Sequence, residues 1–475
     1  MVVSRRSLLT GALSSACLPR ACLPEAVGSS RRTVAGFTFN TCGCGIFDLP
    51  RESDPYLCRV PLPLVDAQPH DADGVRMAEV GGRLYDHPVA QASYGLGNLE
   101  SYRTTLRMAY LDRARRQADR LLSKATRAGS AWYFPYPFSF DPHGLVTERR
   151  FGPWYSAMAQ GQALSLFVRL AETTEELQYR TAAGAVFATF LRPQGQATPW
   201  TVWVDHAGYL WLEEYPGLRP DRTFNGLIFS LWGLWDYWRL TKDARAQSLW
   251  DGAITTVLAY ASSIRNAGWA SSYCMSHPWS IVTKYHLIHI VQLATLYRMS
   301  HHPALARYAE ALVGDYPPPA LKGTVSLPAG RLTGFCFSSK GRVLRHRTLR
   351  LSRRASVSTD NRVRIKNRGI WYRVTNGPLE GLYVPESPPT VVLQGSCVSM
   401  DWDPVRSGRL AAGREAVGRV FTASGAVVQT RRVSPSEATP VGVSRTACWN
   451  GVRHAYVADG PLTGYWIPTS SIRFS

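Results

Sequence analysis

From Asn98 to about residue 315, apolar positions recur with a helical period. The pattern predicts four helical hairpins. The first runs over NLESYRTTLRMAYLDRARRQADRLLSKA. The second joins WYSAMAQGQALSLFVRLA to ELQYRTAAGAVFATFL, and the third joins FNGLIFSLWGLWDYWRL to DARAQSLWDGAITTVLAYASSI. The fourth joins YHLIHIVQLATLYRM to HPALARYAEALVG. Their starts recur at intervals of roughly 60 residues, and in each pair one helix is apolar nearly all round while the other is amphipathic. An inner and an outer ring of helices require that division, so the predicted fold is an all-α (α/α) toroid or incomplete barrel. The segments leading into the inner helices are long and carry Trp, Tyr, Pro and Gly, which places functional groups at that mouth.

Two other textures flank the helices. Residues 31–96 are rich in Pro, Gly and Asp and predict an extended leader with short strands. TPWTVWVDHAGYLWLEEYP (198–216) alternates on both sides of Asp205-His206-Ala207-Gly208, a β-hairpin signal whose second strand delivers Glu213, Glu214 and Tyr215. DYPPPA (315–320) ends the helical pattern, and short Val, Tyr and Thr runs broken by Gly and Pro follow. LPAGRLTGFCFSSKGRV (327–343) recurs as LAAGREAVGRVFTASGAVV (410–428). RVTNGPLEGLYVPES (373–387) recurs as YVADGPLTGYWIPTS (456–470), an offset of about 83 residues. The expected organisation is a signal over 1–30, the leader over 31–96, the toroid over 97–316, a linker over 317–326, and two all-β units over 327–390 and 391–475.

Charge adds a partner. The chain carries 54 Lys and Arg against 34 Asp and Glu, a formal +20. Between 321 and 475 there are 23 basic and 8 acidic residues, so most of the excess sits on the β units. An acidic polymer or an envelope surface is implied; without a nucleic-acid motif, nucleic acid is not expected. The chain starts MVVSRRSLLTGALSSACLPRAC, where Arg5-Arg6 precede an apolar stretch from Leu8 to Leu18. That stretch is too short to span a bilayer and predicts a twin-arginine export signal. Of nine cysteines, Cys42 and Cys44 lie too close for an easy mutual bridge, Cys58 is a partner for either, and Cys397 with Cys448 would close a loop in the last unit. No Cys-x-x-Cys pair occurs, and a structural zinc site is not expected.

KYHLIHIVQL (284–293) sets Tyr285, His289 and Gln292 on one helix face with His286 beside them. Four polar groups in an apolar run leave three readings: a metal site, a satisfied polar core or a proton-transfer site. The metalloprotease pattern of two His at i,i+4 with an intervening Glu is absent.

Resemblance favours proton transfer. PWYSAMAQGQALS (153–165), EEYP (213–216) followed by FNGLIFSLWGLWDY (224–237), SYCMSH (272–277), KYHLIHIVQL and DHPVAQASYGLGNLESY (86–102) together resemble the C-terminal catalytic domain of D-glucuronyl C5-epimerases, in the same order. The resemblance covers roughly residues 85–315 and leaves out both β units. It implies inversion of C5 in uronic acid residues of an anionic polysaccharide, D-glucuronate to L-iduronate, with no cofactor and no metal. It also implies Tyr215 and Tyr285 as opposed proton-transfer groups, Glu214 beside Tyr215, and Tyr273 at the substrate carboxylate. His286 and His289 would orient Tyr285 or the sugar. Trp154 and Tyr155 would line the cleft, together with His277 and Gln292, and Asn225 would touch substrate or cap its helix. A phenol suits either proton role when neighbours lower its pKa from about 10.

The chain departs from the family pattern at two places. The family arginine is Ser276 here, and its Trp-Asp before the helix tyrosine is Thr283-Lys284, where Lys284 would supply the lost charge. The family's larger N-terminal β domain is reduced to residues 31–85. A polysaccharide lyase on the same scaffold and a non-catalytic envelope-binding protein are the rival readings.

Overall fold

The computed structural model describes residues 30–57 and 60–475. The expected export signal and Cys58 lie outside the described residues. The leader forms two hairpins, β1 (Ser30–Val34) with β2 (Phe37–Thr41) and β3 (Met77–Val80) with β4 (Arg83–Asp86). Cys42 and Cys44 are joined by a disulfide, against the expectation that their spacing disfavours one. Gly43, at φ 68°, bends the chain after β2 and brings the two Cα atoms to 5.3 Å, inside the range a disulfide bridges.

Eight helices follow as four hairpins: α1 (Pro88–Thr105) with α2 (Met108–Lys124), α3 (Ala157–Thr174) with α4 (Leu177–Phe187), α5 (Phe224–Thr241) with α6 (Ala244–Tyr260), and α7 (Thr283–Ser300) with α8 (Pro303–Asp315). The odd-numbered helices pack on one another in chain order, α1 on α3, α3 on α5 and α5 on α7, and each even-numbered helix covers its partner from outside. This is the predicted α/α ring. The α3–α5 crossing is made at backbone distance: a Cβ on Gly161 would lie 2.3 Å from the Ser230 Cα, and one on Gly233 would lie 2.3 Å from the Gly161 carbonyl oxygen. Only glycines permit that approach. Short hairpins decorate the mouth, β5 (Thr126–Ala128) with β6 (Ala131–Tyr133) and β7 (Val202–Val204) with β8 (Leu210–Leu212). Asp205 closes the β7–β8 turn by accepting the Ala207 and Tyr209 N–H groups.

α1 starts ten residues before the expected Asn98. Pro88 occupies its first turn and His87 caps it by accepting the Ala90 N–H. Gly95 and Gly97 break the apolar period of this helix, and a Cβ on Gly95 would strike Leu166 at 2.9 Å. Among the described residues no helix is long and apolar enough to cross a membrane.

Beyond α8 lie two seven-stranded antiparallel sheets. The first holds β9 (Ala320–Leu327), β10 (Gly330–Phe337), β11 (Val343–Leu351), β12 (Ala355–Ile365), β13 (Gly369–Val374), β14 (Tyr383–Pro385) and β15 (Val392–Leu393), in the order β11-β10-β14-β13-β12-β9-β15. The second holds β16 (Ser396–Leu410), β17 (Ala416–Phe421), β18 (Val427–Val433), β19 (Thr439–Trp449), β20 (Val452–Asp459), β21 (Trp466–Pro468) and β22 (Ile472–Phe474), in the order β18-β17-β21-β20-β19-β16-β22. The two orders are the same. The expected linker 317–326 is largely strand β9, and the sheets divide between Leu393 and Ser396 rather than at 390, because β15 pairs back onto β9. Cys397 and Cys448 oppose each other across β16 and β19 as free thiols, so the expected bridge is not formed.

One apolar core runs from the helices into the second sheet, and the first sheet has its own. The second sheet docks on α7 and α8: Trp402 meets the Tyr297 ring edge-on, and Arg453 pairs with Glu310 at 3.0 Å.

Candidate active site

The N-terminal ends of α3, α5 and α7 converge on one mouth, and the loop after β8 delivers two adjacent glutamates there. Glu213 turns into the loop. Its carboxylate accepts the N–H groups of Tyr215, Asp221 and Arg222 at 3.1–3.2 Å, and its carbonyl takes the first N–H of α3, from Ala157. Glu214 turns the other way, against α5. A Cβ on Gly226 would lie 2.3 Å from Glu214 Oε2, so the glycine makes room for the carboxyl.

Three phenols surround Glu214. Tyr273 donates to Glu214 Oε1 at 3.2 Å, and its hydroxyl lies 3.3 Å from that of Tyr215. The Tyr285 ring lies 4.5 Å from the Tyr273 ring. Tyr273 is held by its backbone: its carbonyl accepts the Phe224 N–H at the start of α5, and its N–H donates to the Ser280 carbonyl. Tyr215, Tyr285, Tyr273 and Glu214 are thus assembled from three separate segments. Tyr273 touches both of the others, so a sugar ring held between Tyr215 and Tyr285 must displace Tyr273 or lie across it.

The electrostatics differ from the sequence expectation. Burial, with Glu214 alongside, pushes the Tyr215 and Tyr273 phenols well above their ordinary value, and Tyr285 rises for the same two reasons. Burial and Glu214 therefore outweigh the hydrogen bonds from Tyr273 that act to lower the Tyr215 and Tyr285 values. Burial also pushes the Glu214 carboxyl up to about 8, with Asp221 adding to the rise and the Tyr215 and Tyr273 hydroxyls opposing it. The groups poised near neutral pH are carboxyls: Glu214, and the adjacent Glu213, which burial and Asp221 raise to about 7.

An aromatic wall continues from Tyr215. Phe140 stacks 5.7 Å from its ring, Trp154 lies 5.8 Å away, and Trp154 stacks on Tyr136 at 3.8 Å. Tyr155 does not join this wall; it points to the β5–β6 hairpin, where its hydroxyl meets Thr126 Oγ1. Trp279 is 61 % exposed on the rim. Arg150 donates to the backbone carbonyls of Tyr215 and Glu148, and it makes no ion pair among the described residues.

The polar face of α7 divides. His286 does not orient Tyr285: its Nδ1 accepts the Ser271 N–H at 2.8 Å and its Nε2 donates to the Leu312 carbonyl at 3.0 Å, tying a loop to α8. His289 Nδ1 meets the Ser271 hydroxyl at 2.9 Å, and burial lowers its pKa to about 3, which keeps the ring neutral. Gln292 donates to the Asn225 carbonyl, and Asn225 is the second residue of α5, so it does not cap that helix; Thr223 occupies the cap position. These residues form a buried polar core behind the phenols, in which His289 Nε2, Gln292 Oε1 and Asn225 Oδ1 have no hydrogen-bond partner among the described residues. Lys284 is exposed, its Nζ 6.0 Å from the Tyr285 ring centroid. The Ser276 hydroxyl donates to the Pro220 carbonyl.

His277 turns away from the mouth. Its Nδ1 lies 2.8 Å from Asp221 Oδ1, which also meets His143 Nε2 at 2.9 Å, and Cys274 Sγ lies 3.5 Å from His277 Nδ1. Arg150, Trp279 and His143 did not stand out in the sequence. The run WYFPYPFSFDPHG (132–144) was the available signal for this wall, with an aromatic at nearly every second position and His143 at its end.

Comparison with known proteins bears on this region. Residues 132–312 match the family model described as the D-glucuronyl C5-epimerase C-terminus. A D-glucuronyl C5-epimerase of Caenorhabditis elegans is 24 % identical over 215 residues, which cover 42 % of this chain and 34 % of that protein. The chain thus matches about a third of the length of that curated relative. Among solved structures, cellobiose 2-epimerase of Spirochaeta thermophila is 14 % identical, with a TM-score of 0.37 over 52 % of this chain and 63 % of the other. A family 76 α-mannanase of Bacteroides thetaiotaomicron is 13 % identical, with a TM-score of 0.35 over 52 % and 62 %. Over its helical ring the chain resembles the C-terminal domain of D-glucuronyl C5-epimerases, and both β sheets lie outside that likeness.

Proposed function

We propose that this chain epimerises C5 of uronic acid residues within an anionic polysaccharide. The observation that carries the reading is the chain of groups Tyr215–Tyr273–Glu214, two hydroxyls 3.3 Å apart ending on a buried carboxyl at 3.2 Å. The C5–H of a uronate is weakly acidic because its carbanion adds charge beside a carboxylate. A phenol alone is a poor base for it when burial has raised its pKa. In the proposed step Tyr215 passes its proton along Tyr273 to Glu214 as its oxygen takes the proton from C5. Tyr285 then gives its phenolic proton to C5 from the other face, and exchange with water removes the proton gained by Glu214 and returns one to Tyr285. Arg150, free of acidic partners beside Tyr215, would hold the substrate carboxylate and oppose the charge that develops on it. Trp154, Phe140 and Trp279 supply flat apolar faces for the sugar rings.

Two further observations support an anionic, extracellular substrate. β11 and β18 are edge strands that expose Arg345, Arg347 and Arg350, and Arg431 and Arg432. The Cys42–Cys44 disulfide suits an oxidising compartment, as the twin-arginine start does.

The test is incubation with a panel of polyuronates in deuterium oxide, followed by NMR at C5 and sizing of the polymer. The expected result is deuterium at C5 with unchanged chain length. Absorbance from an unsaturated uronate would make the chain a lyase. No exchange with any polymer, together with retention that survives a Tyr215→Phe/Tyr285→Phe double substitution, would make it a binding protein.

A further inference from the structure

Behind Tyr273 four side chains point their ligating atoms at one point. They are His143 Nε2, Asp221 Oδ1, Cys274 Sγ and His277 Nδ1, all within 4.8 Å of one another. They come from the loop after β6, the loop after β8 and the loop before α7. Cys274 Sγ lies 3.7 Å from His143 Nε2 and 3.5 Å from His277 Nδ1. A tetrahedral ion with bonds of about 2.0 Å to nitrogen and oxygen and about 2.3 Å to sulfur needs ligand separations of roughly 3.3–3.6 Å. The sulfur–nitrogen separations already lie near that range, and the two nitrogen–oxygen pairs, at 2.8 and 2.9 Å, would open by about half an ångström.

The outward atoms of the same residues are also held. His277 Nε2 meets Glu148 Oε1 at 3.1 Å, His143 Nδ1 meets Ser280 Oγ at 3.1 Å, and Asp221 Oδ2 accepts the Thr223 hydroxyl at 2.7 Å. Such second partners orient ligands around metals. They also pose a proton-counting problem: His277 faces a carboxylate through each ring nitrogen, and a neutral imidazole has a single N–H. A metal bound at Nδ1 removes the conflict, leaving the proton on Nε2 for Glu148. His143 is held at φ 56°, in the left-handed region that a non-glycine residue rarely adopts, so the loop accepts strain at this residue.

We propose that His143, Asp221, Cys274 and His277 bind one zinc-class transition-metal ion that clamps the three loops of the mouth. A thiolate with two imidazoles selects zinc, cobalt or iron(II) over calcium or magnesium. One thiolate and one carboxylate neutralise a divalent charge. The Asp221, Cys274 and His277 residues are at most 9 % exposed, and the His143 side chain 4 %. Four protein ligands in a closed site leave no position for substrate, so the role is structural. The ion would fix Cys274 and thereby Tyr273, the next residue, whose hydroxyl stands in the tyrosine cluster. The sequence expectation of no metal rested on the resemblance and on ligand spacing along the chain, and these ligands meet only in space.

The test uses the full chain without a polyhistidine tag. Elemental analysis should find about one zinc per chain, and Cys274→Ser and His277→Ala should each cut that content at least tenfold. The chelated wild-type chain, reloaded with cobalt(II), should show visible tetrahedral bands and a near-ultraviolet sulfur-to-cobalt transition. That transition should persist in a variant carrying Cys17→Ser, Cys22→Ser, Cys58→Ser, Cys336→Ser, Cys397→Ser and Cys448→Ser, which leaves Cys274 and the bridged Cys42 and Cys44 and keeps the test decisive if the ligand variants do not fold. Chelation should lower the wild-type melting temperature, and zinc should restore it. Tyr215→Phe should bind metal normally, which separates this proposal from the epimerase reading. Substoichiometric zinc in the wild type, or cobalt bound without a sulfur transition, would overturn it and leave a hydrogen-bonded network.

Discussion

The two ends of the helix ring bury charge in opposite ways. At the C-terminal ends of α3 and α5, Arg169 and Arg239 meet Asp54, Asp236 and Glu172, with Arg51 reaching Glu172 from the rim. Burial works against the Arg239 charge, but Asp236, Asp54 and Glu172 outweigh it and hold the guanidinium above its ordinary pKa. A cavity of about 390 Å³ opens beside this network, lined by Arg51, Asp54, Arg103 and Glu172 among others, and it is remote from the phenols. At the other end Glu214 is equally buried but faces phenols rather than guanidinium groups, and its proton affinity rises toward neutrality. Opposite charges in contact make a scaffold. A buried acid without a cation makes a group that can exchange its proton.

The sharpest way to break this contrast is to remove the proton acceptor. Glu214→Gln and Tyr215→Phe should each lower C5 exchange by about 10²–10⁴-fold, the usual worth of a positioned acid or base. Glu214→Gln should not lower the melting temperature, because it removes a carboxyl that burial disfavours. At the other end the pattern reverses. Asp236→Ala takes from Arg169 its nearest carboxylate, leaving it only Asp54 at 3.8 Å, and should cost about 3–5 kcal/mol in urea unfolding. Exchange per folded molecule should stay within a few-fold of the parent. An Asp236 variant that kills exchange while remaining folded would mean that the two ends are not separate.

pH sharpens the same contrast. If Glu214 must be ionised to accept the relayed proton, kcat/KM for exchange should rise about tenfold per pH unit up to about 8 and then level off. Stability should move the other way. Between the ordinary carboxyl value of 4.5 and about 8 the folded chain keeps the Glu214 proton that the unfolded chain has released. The folded state therefore binds more protons, and stability falls as pH rises across that window. In Glu214→Gln the rate limb should vanish and the stability slope should become shallower. A slope identical to the parent's would place the titration elsewhere.

The helix pairs were legible because the difference between an all-apolar and an amphipathic helix is written in the period itself. The first ten residues of α1 were not, because Gly95 and Gly97 trade that period for a close helix crossing at Leu166. Glu214 and Tyr215 could be picked from the EEYP motif that carries the resemblance, although the strand ends at Leu212 and both residues lie in the loop beyond it. The direction of the phenol pKa values could not, because it depends on burial depth, which no local pattern records. His286 shows another limit. Helical phase places it beside Tyr285, but its bonds to Ser271 and Leu312 depend on a loop and a helix that sequence spacing does not locate. The cluster around Asp221 is the extreme case, with His143 distant by 78 residues and His277 by 56.

The weakest expected effect lies farthest from the mouth. Arg345, Arg347 and Arg350 stand exposed along edge strand β11. Charges on an edge strand discourage pairing with other sheets; Arg345 and Arg347 share one face of β11 and Arg350 lies on the other, and under the proposed function these charges would attract an anionic polymer. Single surface ion pairs are worth about 1 kcal/mol or less and are screened beyond about 10 Å at 0.1 M salt. Replacing all three by Ser should therefore raise the apparent KM for a long polyuronate only several-fold at low ionic strength, with kcat unchanged. The difference should fade at high salt and be absent for a short oligosaccharide confined to the tyrosine mouth. An equal loss on the short substrate would mean that β11 acts on the mouth itself, and the proposed division between a catalytic ring and a polymer-holding sheet would have to be redrawn.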